Sequence, residues 1–158
     1  MKLTVLCVGK LSIPFLREGA EEYRQRLKRY LPVEEIELKE EKRGGKKARA
    51  DFVRNSEAEA LLAKIPPGSY VIGLDEKGRR ASSEQLATTL DKHMTTGTNN
   101  LCLLIGGAYG LTDELRRQCD SLLSLSDMTM THQMARMFLY EQLYRAMTII
   151  RGEPYHNS

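Results

Sequence analysis

The sequence has no tryptophan, only three cysteines, and no apolar run much longer than a strand. The missing tryptophan excludes nothing, but the other two absences do. Cys7, Cys102 and Cys119 are odd in number, widely spaced and never paired as Cys-x-x-Cys. That argues against a disulfide framework and against a zinc site, so no metal is expected. No stretch approaches the ~20 apolar residues of a membrane-spanning helix. After Lys2 only residues 3–8 lean apolar, too few for a secretory core, and no small-residue cleavage site follows. A cytoplasmic protein with no membrane partner is the expectation. No Gly-Lys-Ser/Thr occurs either, which excludes the Walker A phosphate loop.

What is present suits one folded unit. A chain of 158 residues, 41% hydrophobic and 28% charged, can bury one real core but not two ordinary ones. A single domain over residues 1–158 is therefore expected. The net charge of +3 permits a polyanionic partner without requiring one, since an ordinary solvated surface gives the same balance.

Residues 3–8 (LTVLCV) read as a buried strand, and residues 12–30 as a helix with Pro14 in its first turn. VEEIEL alternates as a second strand should. Residues 39–47 (KEEKRGGKK) read as a mobile charged loop, followed by a helix over residues 47–64. YVIGLD is a third strand, and Ser82 and Gln85 form a capping box opening the next helix. LCLLIGG is a fourth strand, Thr112 caps a short helix, and SLLSLS is a fifth strand. Residues 132–150 form a long last helix, which Gly152 and Pro154 end. Strands alternating with helices predict an α/β fold: a mainly parallel sheet flanked by helices, with function at the C-terminal ends of the strands.

IGGAYG follows the fourth strand. A dinucleotide fingerprint is Gly-x-Gly-x-x-Gly after the first strand; here the pattern is Gly-Gly-x-x-Gly in another place, so it does not match. A tight turn needing glycine explains the motif equally well. Two further loops, VIGLDEKG and SLSDMTMTHQ, end strands on the same expected rim. Three such loops together suit a cofactor bound through backbone groups.

IGGAYG, followed by LSLSDMTMTHQMARMFLYEQLYRAMTIIRGEPYH, resembles the RlmH family of SPOUT (α/β-knot) methyltransferases. MKLTVLCVGK and VIGLDEKG match it too, so the likeness covers nearly the whole chain and is strongest over residues 101–156. The resemblance implies a C-terminal trefoil knot, an exception to unknotted connections. It implies methylation of N3 of a pseudouridine in large-subunit (23S) ribosomal RNA, in ribosomes, with S-adenosyl-L-methionine as cofactor. By residue match the cofactor contacts are Leu74, Gly106, Gly107, Leu125, Ser126, Asp127, Met128, Thr129 and Met130. It further implies a homodimer in which one tail helps build the partner's site. The last helix agrees with a dimer: its apolar positions, among them Met134, Met137, Phe138, Leu143 and Met147, cover more than one face. A central core helix would show the same pattern.

Transfer from a sulfonium to an imide nitrogen needs alignment and a donor or cation for the charge developing on the base. His156, Arg145 and Tyr155 are the expected catalytic set: Tyr155 to stack on the target base, His156 as base or donor. Their alternatives are plain. Arg145 has Glu141 at i−4, and Tyr155 and His156 lie in a tail that could be surface. His132 and Arg136 are expected at the RNA, with a helix-terminal polar group and a solvated charge as their respective alternatives. Lys42, Arg43, Lys46, Lys47 and Arg49 are candidate phosphate contacts. Two rival functions remain at this point: a nucleotide- or flavin-binding oxidoreductase, and a non-catalytic ribosome-binding or assembly protein with the same fold.

Overall fold

Every residue from Leu3 to Val8 in the first strand is buried, and alternate side chains enter different cores. Leu3, Val5 and Cys7 join one hydrophobic cluster, Leu6 and Val8 another. A strand buried on both faces is what a continuous apolar run encodes. The computed structural model describes residues 1–43 and 49–157. Its elements are β1 (Lys2–Val8), α1 (Pro14–Leu27), β2 (Val33–Leu38), α2 (Ala50–Lys64), β3 (Tyr70–Arg80), α3 (Ser83–Thr95), β4 (Asn100–Ile105), α4 (Asp113–Gln118), β5 (Ser121–Ser124) and α5 (His132–Ile150).

The five strands form one sheet in the order β2-β1-β4-β3-β5, and every pairing is parallel. The first cluster packs α1, α3 and α5 on one face; the second packs α2 and α4 on the other. α5 lies between α1 and α3. It is thus the central helix of its layer, with Leu139, Leu143, Ala146 and Met147 buried and Met134, Met137 and Phe138 partly buried. No described helix is long and apolar enough to cross a membrane.

Local signals place the helices. Pro14 opens α1, where its missing N–H costs nothing. Ser82 and Gln85 cap α3 reciprocally, and the hydroxyls of Thr112 and Thr131 accept from the N–H groups of Leu115 and Met134. Boundaries differ from expectation in three places. α1 stops at Leu27, because the chain tightens into a turn through Arg29 N–H to Arg26 O and Tyr30 N–H to Leu27 O. α2 begins at Ala50; Lys46 and Lys47, and with them part of the expected loop, lie outside the described residues. β3 runs on to Arg80 after a register shift between Leu74 and Arg79, where pairing with Leu123 and Ser124 resumes. Asp75, Glu76 and Lys77, within the shifted stretch, line the cavity at the C-terminal ends of the strands. Cys7 and Cys102 are fully buried, and burial pushes both thiols up to about 12.

Candidate active site

At the C-terminal ends of β3, β4 and β5 lies a cavity of about 1120 Å³. Three strand-end loops and the first turn of α5 wall it. All nine residues expected at the cofactor line it, as does His132. Loops leaving adjacent strands of a parallel sheet converge at one edge, so the convergence follows from the strand order.

The glycine loop is shaped by its backbone. Gly107 and Gly110 form an isolated antiparallel bridge, with Gly110 N–H donating to Gly107 O at 3.1 Å. Gly110 has φ +76°, and a Cβ on Gly106 would come within 2.9 Å of the Gly110 carbonyl carbon. Both positions therefore demand glycine. Opposite, Ser126 Oγ accepts from Met128 N–H at 2.9 Å, turning the β5 loop back over the cavity. Met128 itself is 81% exposed, a large apolar side chain standing free at the mouth.

Charged groups on the lining are braced. Asp75, whose side chain is 4% exposed, accepts from Arg116 Nε at 2.8 Å and from Lys77 N–H at 2.9 Å. The Arg116–Asp75 pair ties α4 to the bulge of β3, and Arg116 also reaches Asp113 within α4. Arg80 pairs with Asp127. The Asp75–Arg116 bracket was not among the expected residues; an aspartate closing an apolar strand, with an arginine on the next short helix, was its only trace in the sequence.

His132 begins α5 with its Nε2 3.7 Å from Glu40, and burial holds its pKa below the ordinary value. Arg136 is a correction. It was expected to meet RNA, but it is fully buried: Nη1 donates to Glu37 at 2.6 Å and Nη2 to Gly9 O at 2.5 Å, with Glu35 at 3.7 Å. A guanidinium committed to the ends of β1 and β2 does not reach a phosphate.

Arg145, Tyr155 and His156 lie together, and away from the cavity. Glu141 Oε1 accepts from Arg145 Nη2 at 2.5 Å and Nε at 3.0 Å, and from Tyr155 OH at 3.0 Å. The Arg145 guanidinium stacks 4.7 Å over the Tyr155 ring. Arg145 Nη1 stands 3.2 Å from His156 Nδ1. Arginine only donates, so Nδ1 accepts, and Nε2–H donates to Glu84 Oε1 at 2.8 Å. The i, i+4 pair of Glu141 and Arg145 is thus present, and the tail packs on the same guanidinium. From His132 to Arg145 is about 20 Å along α5 at 1.5 Å per residue.

Comparison with known proteins defines the class. Residues 1–156 match the family model described as "Predicted SPOUT methyltransferase". Among solved structures the chain is similar to a probable methylase family protein from Haemophilus influenzae Rd KW20, at TM-score 0.52 and 13% identity, over 95% of this chain and 66% of that one. That likeness concerns the fold. The curated relatives are much nearer. The chain is 59% identical over 157 residues to "Ribosomal RNA large subunit methyltransferase H" of Syntrophotalea carbinolica and 48% identical to the protein of that name from Geobacter sp. strain M21, covering 99% of each. The chain belongs to the RlmH family of SPOUT methyltransferases.

Proposed function

We propose that this methyltransferase transfers the methyl group of S-adenosyl-L-methionine to N3 of a pseudouridine in large-subunit ribosomal RNA, in an assembled ribosomal particle. The observation that carries this reading is the single cavity in which all nine expected cofactor residues meet. Its size exceeds what a drug-sized ligand needs. Ile105, Leu74 and Leu125 offer an apolar wall, the glycine loop exposes backbone, and the buried charges of the lining are paired. These features fit a purine nucleoside with a short zwitterionic tail. S-adenosyl-L-methionine supplies, when bound, a methyl group already activated by its sulfonium.

The chain's own work is to hold and orient. Backbone groups of residues 106–110 and 125–130 would fix the cofactor. Arg145 would offer its guanidinium to the negative charge that develops on the target imide, Tyr155 its ring to the base, and His156 a nitrogen for the proton. Glu141 sets Arg145 and Tyr155 in one geometry. This set is far from its own chain's cavity, so we place the working site across a homodimer, the tail of one protomer over the cavity of the other. Phe138 on α5, only partly buried, supports a protein partner there. The knot belongs to the same reading: the loops after β4 and β5 close over one cavity, and a threaded C-terminal segment would lock them.

Labelled S-adenosyl-L-methionine should mark the large-subunit RNA of ribosomes from cells lacking this activity, and mark naked RNA far less. Nuclease mapping should find the label on one pseudouridine. Tight ribosome binding with no transfer would support instead an assembly factor that kept the fold.

A further inference from the structure

Directly behind the glycine loop sits a carboxyl group that does not line the cavity. Glu57, in the middle of α2, is 5% exposed. A Cβ on Gly107 would stand 2.7 Å from its Oε1 and 2.8 Å from its Oε2. Gly107 faces the cavity on its other side, so one layer of backbone separates this carboxyl from the ligand space. Oε1 accepts no hydrogen bond among the described residues. Arg54, one turn earlier on the helix, pairs with Asp51 instead. Burial pushes the Glu57 carboxyl above its ordinary range; Glu40 and Glu41 push the same way, against one backbone N–H bond from Glu41.

An unpaired buried carboxyl is a cost to the empty protein. The other buried acid at the cavity, Asp75, has its cation in Arg116. Glu57 has none among the described residues. The missing positive charge would come with the ligand. We propose that Glu57 is the buried counter-charge of this cavity, which makes it favour the cationic sulfonium cofactor over the neutral thioether product. The proposal rests on the cavity being the S-adenosyl-L-methionine site. In the transfer the carbon–sulfur bond breaks and its electron pair stays on sulfur. The methyl group bonds to the imide nitrogen, whose proton leaves. The product S-adenosylhomocysteine therefore carries one positive charge fewer than the cofactor. A carboxylate nearby, screened by protein rather than by water, attracts the first and is indifferent to the second. Exchange of product for fresh cofactor is thereby favoured.

The test is the ratio of two dissociation constants, measured by calorimetry at about pH 8, far above the ordinary carboxyl range. Glu57→Gln keeps the shape and removes the charge. It should weaken S-adenosyl-L-methionine about tenfold and S-adenosylhomocysteine less than about twofold. Glu57→Asp should retain most of the preference. Equal weakening of both ligands would mean that Glu57 merely supports the loop, and it would overturn the proposal, as would an unchanged ratio. Should Glu57→Gln fail to fold, the unaltered protein decides. Its preference for the cation should decline as pH falls and Glu57 takes up a proton; a flat ratio overturns the proposal. The other charged groups facing this region are Glu40, Glu41 with its partner Arg43, and His132 beside Glu40. A decline that vanished in His132→Asn would belong to that histidine and likewise overturn it. Binding of neither ligand by the unaltered protein would refute the cofactor reading itself.

Discussion

A guanidinium leaves water only where acceptors replace it, and Arg136 finds its acceptors on the C-terminal edge of β1 and β2. Glu35 and Glu37 are alternate residues of β2 and so share a face. Their register partners Val5 and Cys7 point into the cluster that α5 completes. The acids therefore face the helix that carries Arg136. Removing the guanidinium leaves two carboxylates and the Gly9 carbonyl without their donor. Arg136→Ala should lower stability by about 3 kcal/mol, at the mild end for a broken buried pair because Glu37 is partly exposed. Urea denaturation would show this, and an unchanged midpoint would return Arg136 to the RNA-facing candidates. The sequence did carry a signal. Two glutamates at alternate positions of a strand turn one face acidic, and an acidic face packed inward calls for a buried cation. Which cation answers it depends on a contact spanning ninety-nine residues, and no local spacing encodes that.

At the scale of elements, local chemistry made much of the fold legible. β1 and β4 are apolar apart from Lys2, Thr4 and Asn100 because helices cover both sides, and the caps of α3, α4 and α5 use side chains within one turn of the backbone groups they satisfy. The continuation of β3 was not legible. Residues 75–78 are polar and look like a strand end, and pairing resumes beyond them only because β5 lies alongside. The docking of the tail on α3 was hidden for the same reason. Glu84, in the first turn of α3, accepts from His156, and this bond chiefly pulls its carboxyl down to about 2 from the ordinary 4.5. A carboxyl lowered in the folded state stabilises the docked tail above its ordinary value, and that contribution is lost as pH falls from about 4.5 toward 2. In an NMR titration Glu84 should still be ionised at about pH 3, where an unperturbed glutamate is protonated. In His156→Ala its midpoint should rise toward the ordinary range, with the Ser82 hydroxyl and its own backbone N–H still holding it down in part. An ordinary midpoint in the unaltered protein would mean that the tail is not held on α3 in solution.

At the scale of the whole molecule, the separation of cavity and tail decides what one protomer can do. Gly106 and His132 line the cavity; His156 lies against Arg145, about 20 Å from His132 along α5 by helix rise. If the working site joins the cavity of one protomer to the tail of its partner, a Gly106→Val chain and a His156→Ala chain are each inactive as homodimers. Any side chain at Gly106 must displace the backbone of Gly110, so Gly106→Val closes the loop onto the cavity while leaving the tail intact. In a mixed dimer one of the two sites joins an intact cavity to an intact tail, and the other carries both defects. Random pairing makes half the dimers mixed, so co-expression should restore about one quarter of the methyl transfer to ribosomes. Purifying the mixed dimer through two different tags should raise that to about one half. A site formed within one chain predicts the opposite: every cavity or every tail in the mixture is defective in its own chain, and no mixing recovers activity. The arithmetic thus separates a shared site from a dimer that is merely structural, which loss of activity in either variant alone does not do.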